Sequence, residues 1–254
     1  INGVFNNTTT ESLDDTDYTS EFSPWARTIG DNGDRWLLTP EGEARLITSA
    51  LIQKVSQERI REELTKILTS KEPARGMRLL DNTGLLKHVL PEMEVMKGVE
   101  QPMEYHPEGD VYIHTMMLVD GLCEASIELA LGCLLHDVAK PATFVRAVDR
   151  IRFHGHDTIG AEMSEKICKR LTYSNEQTTL VCELVREHLR FKDAFNMRTA
   201  TLKRFLSLPR FDLHLELHRL DCLASHKKLE VNWLLLVSYL RLALKLLTGT
   251  WFRQ

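Results

Sequence analysis

The chain has 254 residues, of which 43% are apolar and 27% charged, and its formal net charge is −4 at pH 7. This length and apolar content can supply the core of one large or two modest domains. No stretch approaches the 18 uncharged apolar residues of a membrane span, and the opening INGVFNNTTTE lacks the basic and apolar regions of a signal peptide. We therefore expect a water-soluble globular protein with no membrane partner.

The five cysteines are widely spaced in segments predicted to be helical, and they form no CxxC pair. This usage is typical of free thiols in a reducing cytoplasm, not of a disulfide or zinc-thiolate framework.

Charge is unevenly distributed along the chain. Residues 1–40 carry seven acidic and two basic side chains, whereas residues 186–228 carry ten basic and five acidic ones. The basic sector suits either RNA phosphates or an ordinary solvated surface, and charge alone favours neither.

The predicted elements begin with a short strand remnant followed by loop over residues 1–38, which are rich in Thr, Asp, Asn, Gly and Ser. From about Glu41 the pattern becomes helical. In KVSQERIREELTKILTS, one face of a helix carries the apolar residues Ile60, Leu64, Ile67 and Leu68. Ser56 is the predicted N-cap of that helix. Pro73 opens the next helix, which Asn82 and Gly84 should end.

Three later segments also predict helices. After Asp157, apolar residues recur every four positions at Ile159, Met163, Ile167 and Leu171. Residues 174–177, SNEQ, match a capping box. DLHLELHRLDCLA places Leu213, Leu217, Leu220 and Asp221 on one stripe. Because alternating strand patterns are nearly absent past residue 40, the fold class is predicted to be mainly all-α.

One segment conflicts with simple core packing. LGCLLHDVAKP, residues 131–141, places His136 and Asp137 inside an apolar run that reads as a buried helix. A buried carboxylate without a partner is costly, and a divalent metal is an economical partner. A neutral imidazole beside a carboxylate suits Zn, Mn, Fe, Co or Ni. Neighbouring side chains point about 100° apart on a helix, so further ligands must come from other helices.

Other segments offer such ligands at or beside their core-facing stripes: His114, His156, His188 and Asp221. A lone histidine on an apolar face is more often a satisfied core residue, but several on consecutive helices favour one shared site. His214 and His218 form a competing pair at i, i+4. They lie off the stripe that contains Leu217, with no evident third ligand, so we expect them to face the surface or RNA.

The order His114, His136-Asp137, Asp221 resembles the H...HD...D signature of HD-domain metal-dependent phosphohydrolases, and HDVAKP resembles their HDxxKP segment. Longer blocks, among them SQERIREELTKIL, RGMRLLDNTGLL, HPEGDVYIHTMMLVD and RLDCLASH, resemble the C-terminal half of the bacterial tRNA nucleotidyltransferase/poly(A) polymerase family. The resemblance runs from about residue 40 to about residue 230. It implies an HD-domain helical bundle joined to a helical neck and body.

The resemblance also implies a domain order. Residues 1–40 correspond to a remnant of the nucleotidyltransferase head with a shortened neck, 41–95 to a helical neck and body that binds RNA, 96–228 to the HD domain and 229–254 to a C-terminal helical tail. In the family, the carboxylates that hold Mg²⁺ for nucleotidyl transfer precede INGVF, where this chain starts. We therefore expect a fragment that transfers no nucleotides to RNA.

For the site, the resemblance implies one metal held by His114, His136, Asp137 and Asp221, and a second one completed by His156 and His188. Asp137 and Lys140 are the implied catalytic residues. Lys140 would neutralise charge on the phosphate, or alternatively serve only as a helix-dipole partner. His154 either binds substrate or is merely exposed.

The implied substrates are phosphate esters of RNA ends, such as 2′,3′-cyclic phosphates or 2′-nucleotides, and the implied partners are RNA, in particular the tRNA 3′ end, and nucleotides. Two alternatives stay open. The chain could be an RNA-binding or structural module whose metal site is idle, or a free-standing HD nucleotidase. The blocks SQERIREEL and RLDCLASH weigh against the second alternative, because a general nucleotidase has no need of them.

Overall fold

The computed structural model describes residues 36–38, 44–46, 52, 54–104, 106–225 and 230–248. The fold of these residues is mainly helical, as predicted. The helices in chain order are α1 (Gln57–Leu68), α2 (Pro73–Asn82), α3 (Leu86–Val89), α4 (Pro91–Glu94), α5 (Val111–Asp120), α6 (Ile127–Leu135), α7 (Lys140–Thr143), α8 (His156–Arg170), α9 (Asn175–Glu187), a 3₁₀ helix (His188–Asn196), α10 (Thr199–Leu206), α11 (Phe211–Ser225) and α12 (Glu230–Thr248). Within the described ranges, no helix is long and apolar enough to span a membrane.

Two short antiparallel hairpins interrupt the helices. Strands β1 (Trp36–Leu38) and β2 (Ala44–Leu46) pair with each other, as do β3 (Phe144–Arg146) and β4 (Ile151–Phe153). Of the strand remnant and loop predicted over residues 1–38, residues 1–35 lie outside the described residues, and the last three form β1 where a loop was expected. The expectation of a helical pattern from Glu41 was wrong for β2, and the β3–β4 hairpin was not predicted. Strands of three residues are too short to show a readable alternation.

The capping signals of the early helices are confirmed. Ser56 caps α1 by accepting a hydrogen bond from the backbone N–H of Arg59, and α2 begins at Pro73 and ends at Asn82. The capping box of α9 is formed by Ser174 and Gln177. These local contacts fix where each helix starts, so that its apolar stripe meets the common core.

Two hydrophobic cores hold the described residues together. The larger one combines side chains from α1 to α6, from α8 and α9 and from α11, so the helices before residue 97 share one core with those that carry the candidate ligands. The smaller one packs the 3₁₀ helix and α10 against α12 through Phe191, Phe205, Phe211, Leu236 and Leu240. The candidate site lies where α5, α6, α8, the 3₁₀ helix and α11 converge.

The prediction of which residues form the buried face of α8 was partly wrong. The helix starts at His156 with Gly155 as its N-cap, and Ile159 is 40% exposed. Small residues line the buried face instead, because α8 packs very close to its neighbours. A Cβ added at Gly160 would lie 3.2 Å from Val185 Cγ1 and 3.7 Å from the carbonyl oxygen of His136. This close approach brings His156 to the turn that carries Asp137.

The expectation that His214 and His218 face the surface or RNA was wrong for His214. His214 is buried, with 1% of its surface exposed. His218 is half-buried and stacks on Phe191, with ring centroids 4.6 Å apart. Aromatic side chains of the 3₁₀ helix and α11 pack against these imidazoles, a tertiary contact that helical spacing does not reveal.

Burial of His214 predicts a pH-dependent stability. Burial lowers the pKa of His214 to about 4, against the opposing influence of Glu187 and Asp212. In the unfolded chain its pKa is near the ordinary value of about 6.5, so the unfolded state binds more protons as the pH falls below 7. Between pH 8 and pH 5, the wild-type protein should lose about 2 kcal/mol more unfolding free energy than His214→Leu. Urea unfolding at both pH values measures this difference.

Exposed His154 provides the control for this measurement, because His154→Leu should leave the pH dependence of the wild type unchanged. Equal pH slopes for the wild type and His214→Leu would contradict the prediction.

Candidate metal centre

His136 and Asp137 lie in a turn and not within a helix as predicted. Helix α6 ends at Leu135, His136 is its C-cap, and the chain turns through Ala139 before α7 begins. The apolar run continues through this turn because the turn itself is inside the core. His136 and Asp137 are 1% and 2% exposed. An aspartate in this position requires a positively charged partner or strong hydrogen-bond donors.

Four imidazoles surround the carboxylate of Asp137. Its Oδ2 lies 3.1 Å from His136 Nε2 and 3.9 Å from His114 Nε2. Its Oδ1 lies 3.4 Å from His156 Nε2 and 4.0 Å from His188 Nε2. The two oxygens of one carboxylate therefore face two different pairs of histidines.

Asp221 completes the set. Its Oδ1 lies 3.0 Å from His114 Nε2, across 107 residues of chain. Within the described residues, three groups have ligand atoms that lie within 4.8 Å of one another: His114 with His136 and Asp221, Asp137 with His156 and His188, and His106 with Glu108 and His114. All six residues singled out from the sequence thus lie together, in two adjoining groups.

Backbone carbonyls orient three of the imidazoles. In each case Nδ1 lies within hydrogen-bond distance of the carbonyl oxygen three residues earlier: 2.8 Å for His136, 2.6 Å for His156 and 2.6 Å for His188. A carbonyl only accepts, so each Nδ1 carries a proton, and Nε2, the atom left to bind a metal, faces Asp137.

Two of these Nε2 atoms have no hydrogen-bond partner. The Nε2 atoms of His136 and His156 are buried and make no hydrogen bond to any described residue, although a carboxylate oxygen lies 3.1 or 3.4 Å away. Imidazole Nε2 and carboxylate oxygen are both metal ligands, and at these separations one ion can contact both. The donor set therefore fits a bound metal ion.

Electrostatics keep the carboxylates ionised. Burial alone would raise the pKa of Asp137, but its neighbours His136 and Lys140 lower it well below its usual range. Burial likewise opposes ionisation of Asp221, and the adjacent His114 lowers its pKa. Burial lowers the pKa of His188 to about 4, which keeps this ring neutral and able to bind a metal.

Lys140 is a buried neighbour of the cluster. Its Nζ lies 2.7 Å from Asp137 Oδ2, contacts the side-chain oxygen of Gln101, and lies 5.2 Å from the centre of the Phe153 ring. It is 5% exposed and begins α7. The alternative reading of Lys140 as a dipole partner at a helix C-terminus was therefore wrong, since the residue is the first of its helix.

Comparison with known proteins matches two family models to this chain. The HD domain model matches residues 106–219, and the model described as "Probable RNA and SrmB- binding site of polymerase A" matches residues 47–97. In these segments the chain belongs to the tRNA nucleotidyltransferase/poly(A) polymerase family.

Curated relatives agree with this family. The chain is 33% identical over 159 residues to a multifunctional CCA protein of Herminiimonas arsenicoxydans, covering 62% of this chain and 38% of the relative. It is 32% identical over 164 residues to a multifunctional CCA protein of Cupriavidus pinatubonensis, covering 64% and 39%. The chain spans about two fifths of the length of these relatives.

Within the HD domain, sequence reasoning missed Glu108 and His106. Glu108 Oε1 lies 2.7 Å from His114 Nδ1 and 2.9 Å from His106 Nδ1. Its carboxylate thus lies beside Nδ1 of His114, on the side of the ring where the other three imidazoles meet a backbone carbonyl. The only signal for Glu108 in the sequence was the pair of acidic residues, Glu108 and Asp110, in HPEGDVYIH. The second of them, Asp110, is the N-cap of α5.

A cavity of about 1000 Å³ opens onto the ligand cluster of the HD domain. The β3–β4 hairpin forms one wall, from which Arg150, Arg152 and His154 line the space. His154 is exposed on this wall, where the sequence left it either exposed or substrate-binding. The cavity gives a solute direct access to Asp137 and Lys140.

Proposed function

We propose that this HD domain is a metal-dependent phosphohydrolase that cleaves phosphate esters of RNA ends or nucleotides, such as 2′,3′-cyclic phosphates. One observation carries the proposal: the Nε2 atoms of two buried imidazoles make no hydrogen bond and lie 3.1 and 3.4 Å from the oxygens of a buried carboxylate, an arrangement that a bound metal ion satisfies. The cavity above it admits a substrate.

The cluster divides into two sets of ligands. His114, His136 and Asp221 would hold one ion together with Oδ2 of Asp137, and His156 and His188 would hold a second with Oδ1. Nitrogen and carboxylate oxygen ligands suit Ni, Mn, Co, Fe or Zn. When bound, such ions polarise a phosphoryl oxygen and lower the pKa of water.

The side chains around the ligands have their own roles. Lys140 places a buried ammonium beside Asp137, where it stabilises negative charge that develops on a phosphate. Burial of the cluster keeps the local dielectric constant low and so strengthens this interaction. Arg152 and His154 lie on the wall of the cavity, where they favour the approach of an anionic substrate.

We further propose that the substrate is attached to RNA, or derived from it. Residues 47–97 match a family model for RNA binding, and they share one hydrophobic core with the HD domain. The basic sector found in the sequence is on the surface at Lys192, Arg198, Lys203 and Arg204, which are all exposed. Exposed cations suit RNA phosphates.

Turnover measurements test the hydrolase. Protein purified without chelator should contain about one or two transition-metal ions per chain. Chelator should abolish hydrolysis of adenosine 2′,3′-cyclic phosphate, and added Mn, Co or Ni should restore it. Absence of bound metal, or hydrolysis that persists in chelator, would overturn the proposal. Retained RNA binding without hydrolysis would favour an RNA-binding module with an idle site.

Glu108 provides a separate test of the metal assignment. Glu108→Gln removes the charge that orients His114, and loss of such an outer partner weakens metal binding by about 10- to 100-fold. Calorimetric titration of the metal-free protein with Mn measures the change. Glu104→Gln, at an exposed position four residues away, should bind like the wild type. Equal affinities for all three proteins would show that Glu108 does not support a ligand.

A further inference from the structure

The cavity of the HD domain has an aromatic end in addition to the ligand cluster. Phe191, Phe195, His218 and Trp233 line it. The rings of Phe191 and His218 stack with their planes within 7°, and the Trp233 ring lies 6.0 Å from that of His218 at an angle of 46°. Phe195 is 53% exposed. Planar side chains therefore border the same space that Asp137 and Lys140 enter.

Two elements connect the aromatic end to the ligand cluster. On α11, His218 precedes Asp221 by three residues, which is a rise of about 4.5 Å. On the 3₁₀ helix, Phe191 follows His188 by three residues, a rise of about 6 Å. The stacked pair of rings thus lies one turn away from two predicted ligands. A ribose spans a similar separation between its phosphate and its base.

Cationic side chains occupy the rest of the wall. Arg152, His154 and Lys192 line the cavity, and within the described part of the chain Lys192 has no acidic partner within 4 Å. Polar groups at the aromatic end, His218 and Ser225, add hydrogen-bonding capacity. A purine or pyrimidine offers a π-face to the rings and polar edges to these groups, whereas an aliphatic ligand offers neither.

We propose that the aromatic end holds the base of a nucleotide whose phosphate reaches the ligand cluster. The inference rests on the proposed phosphohydrolase and names the part of the substrate that the site recognises. Trp233 belongs to α12, beyond the residues 106–219 that match the HD domain model. The C-terminal helix therefore contributes to substrate recognition.

Paired substrates test this subsite. Adenosine 2′,3′-cyclic phosphate and glycerol 1,2-cyclic phosphate present the same five-membered ring, but only the first has a base. In Trp233→Ala, the ratio of kcat/KM for the nucleotide to kcat/KM for the glycerol ester should fall about 10-fold, the effect of losing one stacking partner. Trp233→Phe should restore most of the ratio. Leu235→Ala, on an exposed position of the same helix, should leave it unchanged.

Phe195→Ala is the second variant, because the exposed Phe195 side chain can be removed without disturbing the core. It should lower the same ratio several-fold. An unchanged ratio in both variants would overturn the base-binding subsite.

Binding of AMP, measured by calorimetry without turnover, separates the two proposals. If no phosphate ester is hydrolysed but both variants bind AMP more weakly than Leu235→Ala does, the hydrolase proposal fails and the subsite stands. If hydrolysis is normal and AMP binding is unaffected in both variants, the subsite fails and the hydrolase stands.

Discussion

Asp137→Asn should abolish both metal binding and phosphate-ester hydrolysis. The carboxylate of Asp137 lies between both proposed sets of ligands, and an amide would replace its two oxygens, which share one negative charge, by a single neutral oxygen. Loss of an outer partner already costs about 10- to 100-fold in metal affinity, so loss of this ligand should cost more. Elemental analysis of the purified variant and turnover of adenosine 2′,3′-cyclic phosphate measure both effects.

Asp120→Asn is the matched control for this change, because Asp120 is an exposed aspartate at the end of α5 that contacts Arg78 on the surface. It should retain the metal content and turnover of the wild type. Thermal unfolding of Asp137→Asn confirms that the variant is folded. Full turnover by folded Asp137→Asn would place the activity outside this cluster.

Lys140→Met should lower kcat by about 100- to 1000-fold, the usual cost of removing one group that stabilises charge in a transition state. The methionine keeps the length of the side chain but removes the ammonium beside Asp137. Because Lys140 is not a ligand, metal content should stay within a few-fold of the wild type. Single-turnover kinetics with saturating Mn separate the chemical step from binding.

Lys169→Met serves as the control, since Lys169 is an exposed lysine of α8 whose contact is with Glu165. Its kcat should equal that of the wild type. If Lys140→Met keeps its kcat but loses metal, the role of Lys140 is to hold Asp137 in place, and the proposed catalytic role is wrong.

Much of the helical fold was predictable from the sequence, because its signals are local. Ser56, Pro73 and the Ser174–Gln177 capping box act within one turn of the chain, and each marks a helix start that the structure confirms. The convergence of the six candidate ligands was predictable for another reason. Ionisable side chains on apolar stripes need partners inside the core, and such side chains on neighbouring helices can be partners for one another.

Other features depend on packing between distant segments. Gly160 permits the contact of α8 with the His136 turn. A search for large apolar residues does not detect a buried helix face that is made of small residues. His214 is buried under Phe211, and Glu108 reaches His114 from a loop. None of these contacts has a periodic signal, so the orienting carboxylate and the buried histidine emerge only from the tertiary structure.

The dispersal of the ligands along the chain couples metal binding to folding. His114 and Asp221 are 107 residues apart, and the other ligands lie between them on separate elements, so the unfolded chain cannot present the set. An ion that binds only the folded state adds about 1.4 kcal/mol to the free energy of unfolding for each tenfold excess over its dissociation constant. If the candidate ligands hold an ion as proposed, the melting temperature of this protein should rise with the free metal concentration.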